Sequence, residues 1–73
     1  MRKEDLFAGQ QLRKYRMKRR LTQEALATEL GCSFQQVQKY ESGKNRLSVS
    51  RVSDICKVLG ILPSAFFNIN KGV

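Results

Sequence analysis

Histidine and tryptophan are absent from the 73-residue sequence, proline occurs once, and cysteine occurs twice. Without histidine, the chain lacks the commonest general base and the commonest metal ligand. Cys32 and Cys56 lie far apart and form no Cys-x-x-Cys pair, so they cannot supply the four ligands of a zinc site. A chain of this size also has little material to wall a pocket. These scarcities argue against an enzyme and against any bound metal or cofactor.

Acidic residues are scarce as well. The sequence has 6 Asp and Glu against 14 Lys and Arg, which gives a net charge of +8. Such a surplus favours a polyanionic partner. The start of the sequence shows no secretory signal pattern, and no apolar run is long enough to cross a bilayer. We therefore expect a cytoplasmic protein that keeps both thiols free and has no membrane partner.

Helical periodicity punctuated by glycines predicts an all-α, compact bundle of four to five short helices. The first helix is predicted from about Leu6 to about Arg19, with Asp5 as its N-cap. Its expected apolar contacts are Ala8, Leu12, Tyr15 and Met17. Its polar face carries a basic cluster between Arg13 and Arg20, which is interpreted either as a phosphate-binding stripe or as a solvated face. A membrane surface is the third reading of this cluster, but the core needs the apolar side of the helix.

Two further short helices are predicted by their capping residues. Thr22 caps the first of them and Gly31 ends it, as a glycine that tolerates positive φ. Ser33 caps the second and forms a Ser-x-x-Gln capping box with Gln36, and Gly43 ends it. The turn between them is short and contains a glycine, which is typical of a helix-turn-helix over about residues 22–42.

The fourth helix is predicted after Ser48 and ends at Gly60. Its apolar stripe recurs at helical spacing and comprises Val49, Val52, Ile55, Cys56 and Leu59. A final turn begins at Pro63. Aromatic and aliphatic side chains in residues 61–73 are expected to divide between the core and a dimer contact, namely Leu62, Phe66, Phe67 and Ile69. Both cysteines are expected to be small buried hydrophobes, and Tyr15 and Tyr40 core or hinge residues.

The helix from Phe34 to Glu41 is the predicted reading element, because one α-helix fits the major groove of a DNA duplex. Gln35 and Gln36 each offer a donor and an acceptor to adenine, and Lys39 reaches guanine. Side chains expected to hold phosphates flank this helix: Gln23, Ser33, Lys44, Asn45 and Arg46.

The segments 21–31 and 33–43 resemble the XRE family of helix-turn-helix proteins, the family of phage repressor and Cro DNA-binding domains. The resemblance extends from about Gly9 to about Phe67. It implies a lambda-repressor-like DNA-binding domain that occupies residues 1–73. It also implies a transcriptional regulator that binds double-stranded DNA sequence-specifically. Because one reading helix contacts too few bases to select a site in a genome, we expect a homodimer that acts as a repressor on a near-palindromic operator.

The resemblance also assigns individual roles. Gln23 matches a phosphate- and base-contacting position, and Arg16 and Glu41 match a structural pair that ties the first helix to the third. The positions that face base edges are matched by Phe34, Gln35 and Lys39, with Gln36 and Gln38 beside them. Phe34 departs from the polar residue common there and is expected to meet a thymine methyl or a deoxyribose instead.

Two alternatives remain open at the level of sequence. The first is a protein-interaction module, for example the antitoxin of a toxin–antitoxin pair, which a toxin-like reading frame beside the gene would favour. The second is a non-specific nucleic-acid binder, whose mark would be a steep salt dependence without preference among duplexes.

Overall fold

The computed structural model describes residues 2–67, and within this range the chain is all-helical. Four α-helices are followed by one short 3₁₀ helix. Their bounds are α1 Lys3–Lys18, α2 Gln23–Leu30, α3 Phe34–Ser42, α4 Val49–Leu59 and the 3₁₀ helix Pro63–Phe66. The predicted all-α bundle is confirmed. None of the helices in this range is long and apolar enough to cross a membrane.

The predicted ends of α2, α3 and α4 are confirmed in detail. The hydroxyl oxygens of Thr22, Ser33 and Ser48 each accept a hydrogen bond from the backbone N–H three residues later, over 3.0, 3.1 and 3.0 Å. Each of these helices ends at a glycine in the left-handed region, with φ of 72°, 81° and 66°. Local sequence therefore specifies where these three helices begin and end.

The predicted start of α1 is wrong. The helix begins at Lys3 instead of Leu6, its N-cap is Arg2, and Asp5 lies in the first turn without capping it. Glu4 and Asp5 together place two carboxylates near the positive end of the helix dipole, which stabilises this earlier start. The Asp5 carboxylate instead pairs with Arg46, with 3.4 Å between Oδ1 and Nε.

The core lies where α1, α2, α3 and α4 meet and is closed by the 3₁₀ helix. Its fully buried side chains are Leu12, Leu26, Val37, Ile55 and Leu59. Met17 and Val49 were expected to join the core and do not, because they are 55% and 88% exposed. Met17 directly follows Arg16, whose side chain faces α3. Successive side chains of an α-helix differ in direction by about 100°, so Met17 does not share that face. Val49 is the first residue of α4 and lines a groove instead of packing beneath a neighbouring helix.

Helix α1 crosses the end of α3 at very short range. A Cβ added at Gly9 would collide with the backbone oxygen of Tyr40 and lie 2.7 Å from that of Glu41. Leu6, one turn earlier, contacts Gly43. This crossing holds the last turn of α3 against α1 and leaves the opposite face of α3 open.

Candidate nucleic-acid interface

The outer face of α3 is polar and exposed. Gln35, Gln38 and Lys39 are exposed, and their spacing of three and four residues places them on one face. Phe34 shares this face and is 37% exposed. Gln36 is partly buried at its flank, while Val37 on the inner face is completely buried. Three of the four expected base-reading side chains therefore stand together on open surface.

The inner face of α3 is anchored through Arg16 and Glu41. Arg16 donates from Nε to Glu41 Oε2 over 2.6 Å and from Nη2 to Oε1 over 3.1 Å. Its third group, Nη1, donates to the backbone oxygen of Leu21 over 2.7 Å. The two side chains are only 11% and 6% exposed. A bidentate, largely buried pair of this kind fixes direction as well as distance, so it holds α3 in register with α1 and with the start of α2.

Gln23 belongs to the same network. Its side-chain amide nitrogen donates to Glu41 Oε1 over 3.0 Å. An amide nitrogen carries two hydrogens, so the second remains for an acceptor outside the network. The residue expected to take a phosphate is thus oriented by the carboxylate that Arg16 binds. The sequence alone contained no signal for the link between Gln23 and Glu41.

The other expected phosphate ligands lie around α3. Ser33 accepts the capping bond at the start of the helix, and its own hydroxyl hydrogen stays available. Lys44 and Asn45 are exposed in the loop after the helix. Arg46 is 62% exposed but shares its charge with Asp5. Because Arg46 itself is largely exposed, this pair is weak and leaves Arg46 open to another anion.

The expected dimer residues divide sharply in burial. Leu62 and Phe67 are 74% and 54% exposed. Phe66 is only 2% exposed and belongs to the core, so within the expected division it falls on the core side and is no longer a candidate for the dimer contact. The 3₁₀ helix turns Phe66 inward and leaves Phe67 outside. Ile69 lies outside the described residues.

An apolar groove that sequence reasoning missed opens between the first turns of α1 and α4 and the 3₁₀ helix. Its apolar lining includes Phe7, Val49 and Phe67, and charged side chains also line it. Segments far apart in the chain form this groove, so no local pattern announces it.

Within residues 2–67, no group of three or more cysteine and acidic side chains could hold a metal ion. Cys32 is partly buried against the core and Cys56 is buried. Burial raises the pKa of the Cys56 thiol, which disfavours its thiolate and makes it a poor nucleophile.

Comparison with known proteins gives a consistent picture. A helix-turn-helix family model matches residues 12–66. A relative from Rhodospirillum rubrum, named as an uncharacterized transcriptional regulator in the ATPase CF(0) region, is 48% identical over 88% of this chain and 59% of its own length. The chain spans about half the length of the curated relatives it matches.

Two solved structures show how widely this fold is used. The restriction-modification controller protein C.AhdI from Aeromonas hydrophila matches with a TM-score of 0.79 and 31% identity, over 85% of this chain and 94% of C.AhdI. Fe(II) HppE in complex with substrate matches with a TM-score of 0.81 and 25% identity, over 86% of this chain but 37% of HppE. The second likeness concerns one part of a larger protein, so the fold alone does not fix a function.

Proposed function

The chain belongs to the XRE-type helix-turn-helix family, and from this we propose that it is a transcriptional regulator that binds double-stranded DNA sequence-specifically. It acts as a repressor and binds as a homodimer to a near-palindromic operator. The observation that carries the proposal is the two-sided character of α3. Its inner face is clamped by the Arg16–Glu41 pair, and its outer face presents polar side chains with no other role in the fold.

The reading chemistry follows from the exposed side chains. Gln35 pairs with adenine in a bidentate manner, and Lys39 donates to guanine O6 and N7. Phe34, at the start of the helix, contacts a thymine methyl. Gln23, Ser33 and the loop after α3 hold the flanking phosphates and set the register of the helix in the groove.

One reading helix contacts too few base pairs to select a site within a genome. A homodimer doubles the site, and its two helices then enter successive major grooves about 34 Å apart. Exposed Leu62 and Phe67 supply apolar surface for the contact between subunits. The protein acts without cofactor or catalysis, in the cytoplasm and on the nucleoid.

The test is selection of bound duplexes from a randomised library at about 0.15 M salt, where non-specific binding is partly suppressed. An inverted repeat is expected for the wild-type protein. Gln35→Ala and Lys39→Ala should each weaken binding to that repeat by about 1–3 kcal/mol and relax the preference at one position.

The matched controls are Gln10→Ala on α1 and Lys57→Ala on α4, which remove the same kinds of side chain from exposed positions off the reading face. They should leave the selected motif unchanged. Selection of no motif, or an unchanged motif and affinity for both α3 variants, would overturn the proposal.

A protein-interaction module, such as an antitoxin, is the second candidate. The apolar groove and exposed Leu62 and Phe67 favour it, since exposed apolar patches mark partner surfaces. Selection of no DNA motif together with a tight complex with the product of an adjacent gene would establish this candidate instead.

A further inference from the structure

Five exposed cations near the end of α1 have no ion-pair partner among the described residues. The three ion pairs in that range use Arg16, Arg46 and Arg51. The unpaired cations are Arg13, Lys14, Lys18, Arg19 and Arg20. Like charges this close repel one another, so the stretch is electrostatically unfavourable until an anion lies against it.

Arg13 shares a face of α1 with two positions that meet the last turn of α3. It lies four residues after Gly9 and three before Arg16, so these three positions form one ridge of α1. Gly9 and Arg16 both contact Glu41, through the backbone oxygen and the carboxylate respectively. Arg13 is exposed between two positions that touch α3, which places it at the rim of the α1–α3 contact.

Arg20 occupies the junction between α1 and α2 in an unusual conformation. Its φ is 57°, whereas the ends of α2, α3 and α4 use glycine in the same region. A left-handed conformation is unfavourable for a residue with a Cβ, so this position retains a long cationic side chain against a backbone preference for glycine. Arg20 also precedes Leu21, whose carbonyl oxygen Arg16 holds.

The remaining cations of the stretch are Lys14 and Lys18 on α1 and Arg19 at its C-cap. The ammonium groups of Lys14 and Lys18 lie over the Tyr15 ring, 5.4 and 5.3 Å from its centroid. Neither residue belongs to the ridge of Gly9, Arg13 and Arg16. Arg19 lies against Gly60 at the end of α4, because a Cβ on that glycine would collide with its guanidinium.

From these placements we infer that Arg13 and Arg20 bind the phosphodiester backbone of the duplex that α3 reads, on either side of the Arg16–Glu41 pair. Arginine suits this role because its planar fork matches two phosphate oxygens. Lys14 and Lys18 lie outside the contact. The inference rests on the proposed function and adds to it a backbone contact made by α1.

The test compares Arg13→Ala and Arg20→Ala with Lys14→Ala and Lys18→Ala, all of which remove one positive charge from the same stretch. The affinity for the selected operator is measured as a function of salt. Each arginine variant should make the negative slope of log affinity against log salt shallower by about one. It should also weaken binding about five-fold at about 0.15 M salt. Each lysine variant should keep the wild-type slope and lose less than about two-fold.

Arg13→Lys and Arg20→Lys should recover most of the slope, since they keep the charge, and circular dichroism should show the same helix content for all variants. Equal losses in all four alanine variants, or unchanged slopes in both arginine variants, would overturn the inference.

The outcome separates this inference from the function on which it rests. If Lys39→Ala weakens operator binding while both arginine variants keep the wild-type slope, the backbone contact alone is wrong. If the wild-type protein binds duplexes without any preferred sequence while the arginine variants still flatten the slope, sequence reading is wrong and the contact stands.

Discussion

At the scale of single residues, Arg16 links α1 to α3 and to the segment before α2. Its guanidinium donates hydrogen bonds to Glu41 on α3 and to the Leu21 carbonyl oxygen before α2. Glu41 also accepts a hydrogen bond from the Gln23 side chain. The pair is largely buried, so removing either partner leaves the other charge without compensation.

Arg16→Met should therefore lower the free energy of unfolding by about 3 kcal/mol, because it strands the Glu41 carboxylate. The double variant Arg16→Met/Glu41→Leu should be less destabilised than the single one, since it removes both charges. Urea unfolding measures both. Asp54→Asn is the control, because its contact with Arg51 spans 4.0 Å at an exposed site and should be worth less than about 0.5 kcal/mol. A double variant less stable than Arg16→Met would contradict this account.

Arg20 permits a second prediction about one residue. Arg20→Gly should be more stable than Arg20→Ala by about 1 kcal/mol, because only glycine adopts positive φ without steric cost. Both changes remove the same charge, so the comparison isolates the backbone.

Thermal unfolding of the two variants gives the difference. At Arg13, inside α1, the order should reverse, since glycine costs about 1 kcal/mol relative to alanine within a helix. Equal melting temperatures for the two Arg20 variants would show that the left-handed conformation carries no cost there.

At the scale of elements, the position of α3 depends on how closely α1 approaches its end. The two backbones meet at Gly9, where no side chain fits between them. The Arg16–Glu41 pair lies on the same ridge and fixes the angle of the approach. The outer face of α3 is thus oriented by contacts that the inner face and the last turn of the helix make.

Gly9→Ala tests this crossing. Glycine to alanine inside a helix is normally stabilising, but here the new methyl group would meet the carbonyl oxygens of Tyr40 and Glu41. We expect a loss of about 1–3 kcal/mol in the free energy of unfolding, together with weaker operator binding because α3 is displaced.

Chemical denaturation and a DNA titration measure the two effects. Gln10→Ala, at the next and exposed position of α1, should change stability by less than about 0.5 kcal/mol. A stabilised Gly9→Ala variant would show that α1 and α3 separate at little cost.

At the scale of the whole molecule, the chain combines a net charge of +8 with two kinds of open surface. The polar outer face of α3 and the cations of α1 fit a polyanion. The apolar groove and the exposed side chains near the 3₁₀ helix fit a protein surface. In the proposed regulator, the first kind meets DNA and the second meets the other subunit.

Leu62→Ser and Phe67→Ser should keep the fold and weaken the proposed homodimer, because both side chains are already exposed in the single chain. Sedimentation equilibrium should show a shift toward monomer, and the preference for a full operator over a half-site should fall. Phe66→Ala is the contrasting change, since it empties a buried site and should cost about 3–5 kcal/mol of stability. Full-operator binding equal to the wild type in both serine variants would rule out this dimer surface.

The sequence alone predicted the helices and most of their ends, but it predicted few of the contacts between segments that lie far apart in the chain. The caps at Thr22, Ser33 and Ser48 were predicted correctly because each hydroxyl bonds a backbone N–H only three residues away. The start of α1 was predicted wrongly, because Asp5 suited both a cap and a first turn and the ion pair with Arg46 lies far along the chain. Periodicity also could not tell that Val49 would be exposed.

What the sequence by itself determined is therefore the set of helices, the ends of α2, α3 and α4, and the polar character of α3, since these depend on neighbours within one or two turns. Only the tertiary structure decided that Phe66 is buried and Phe67 exposed, that Gln23 joins the Arg16–Glu41 network, and that Gly9 meets the backbone of α3. Burial and long-range hydrogen bonds depend on segments that meet only after the chain has folded. Local patterns carry no information about which of these segments will cover one another.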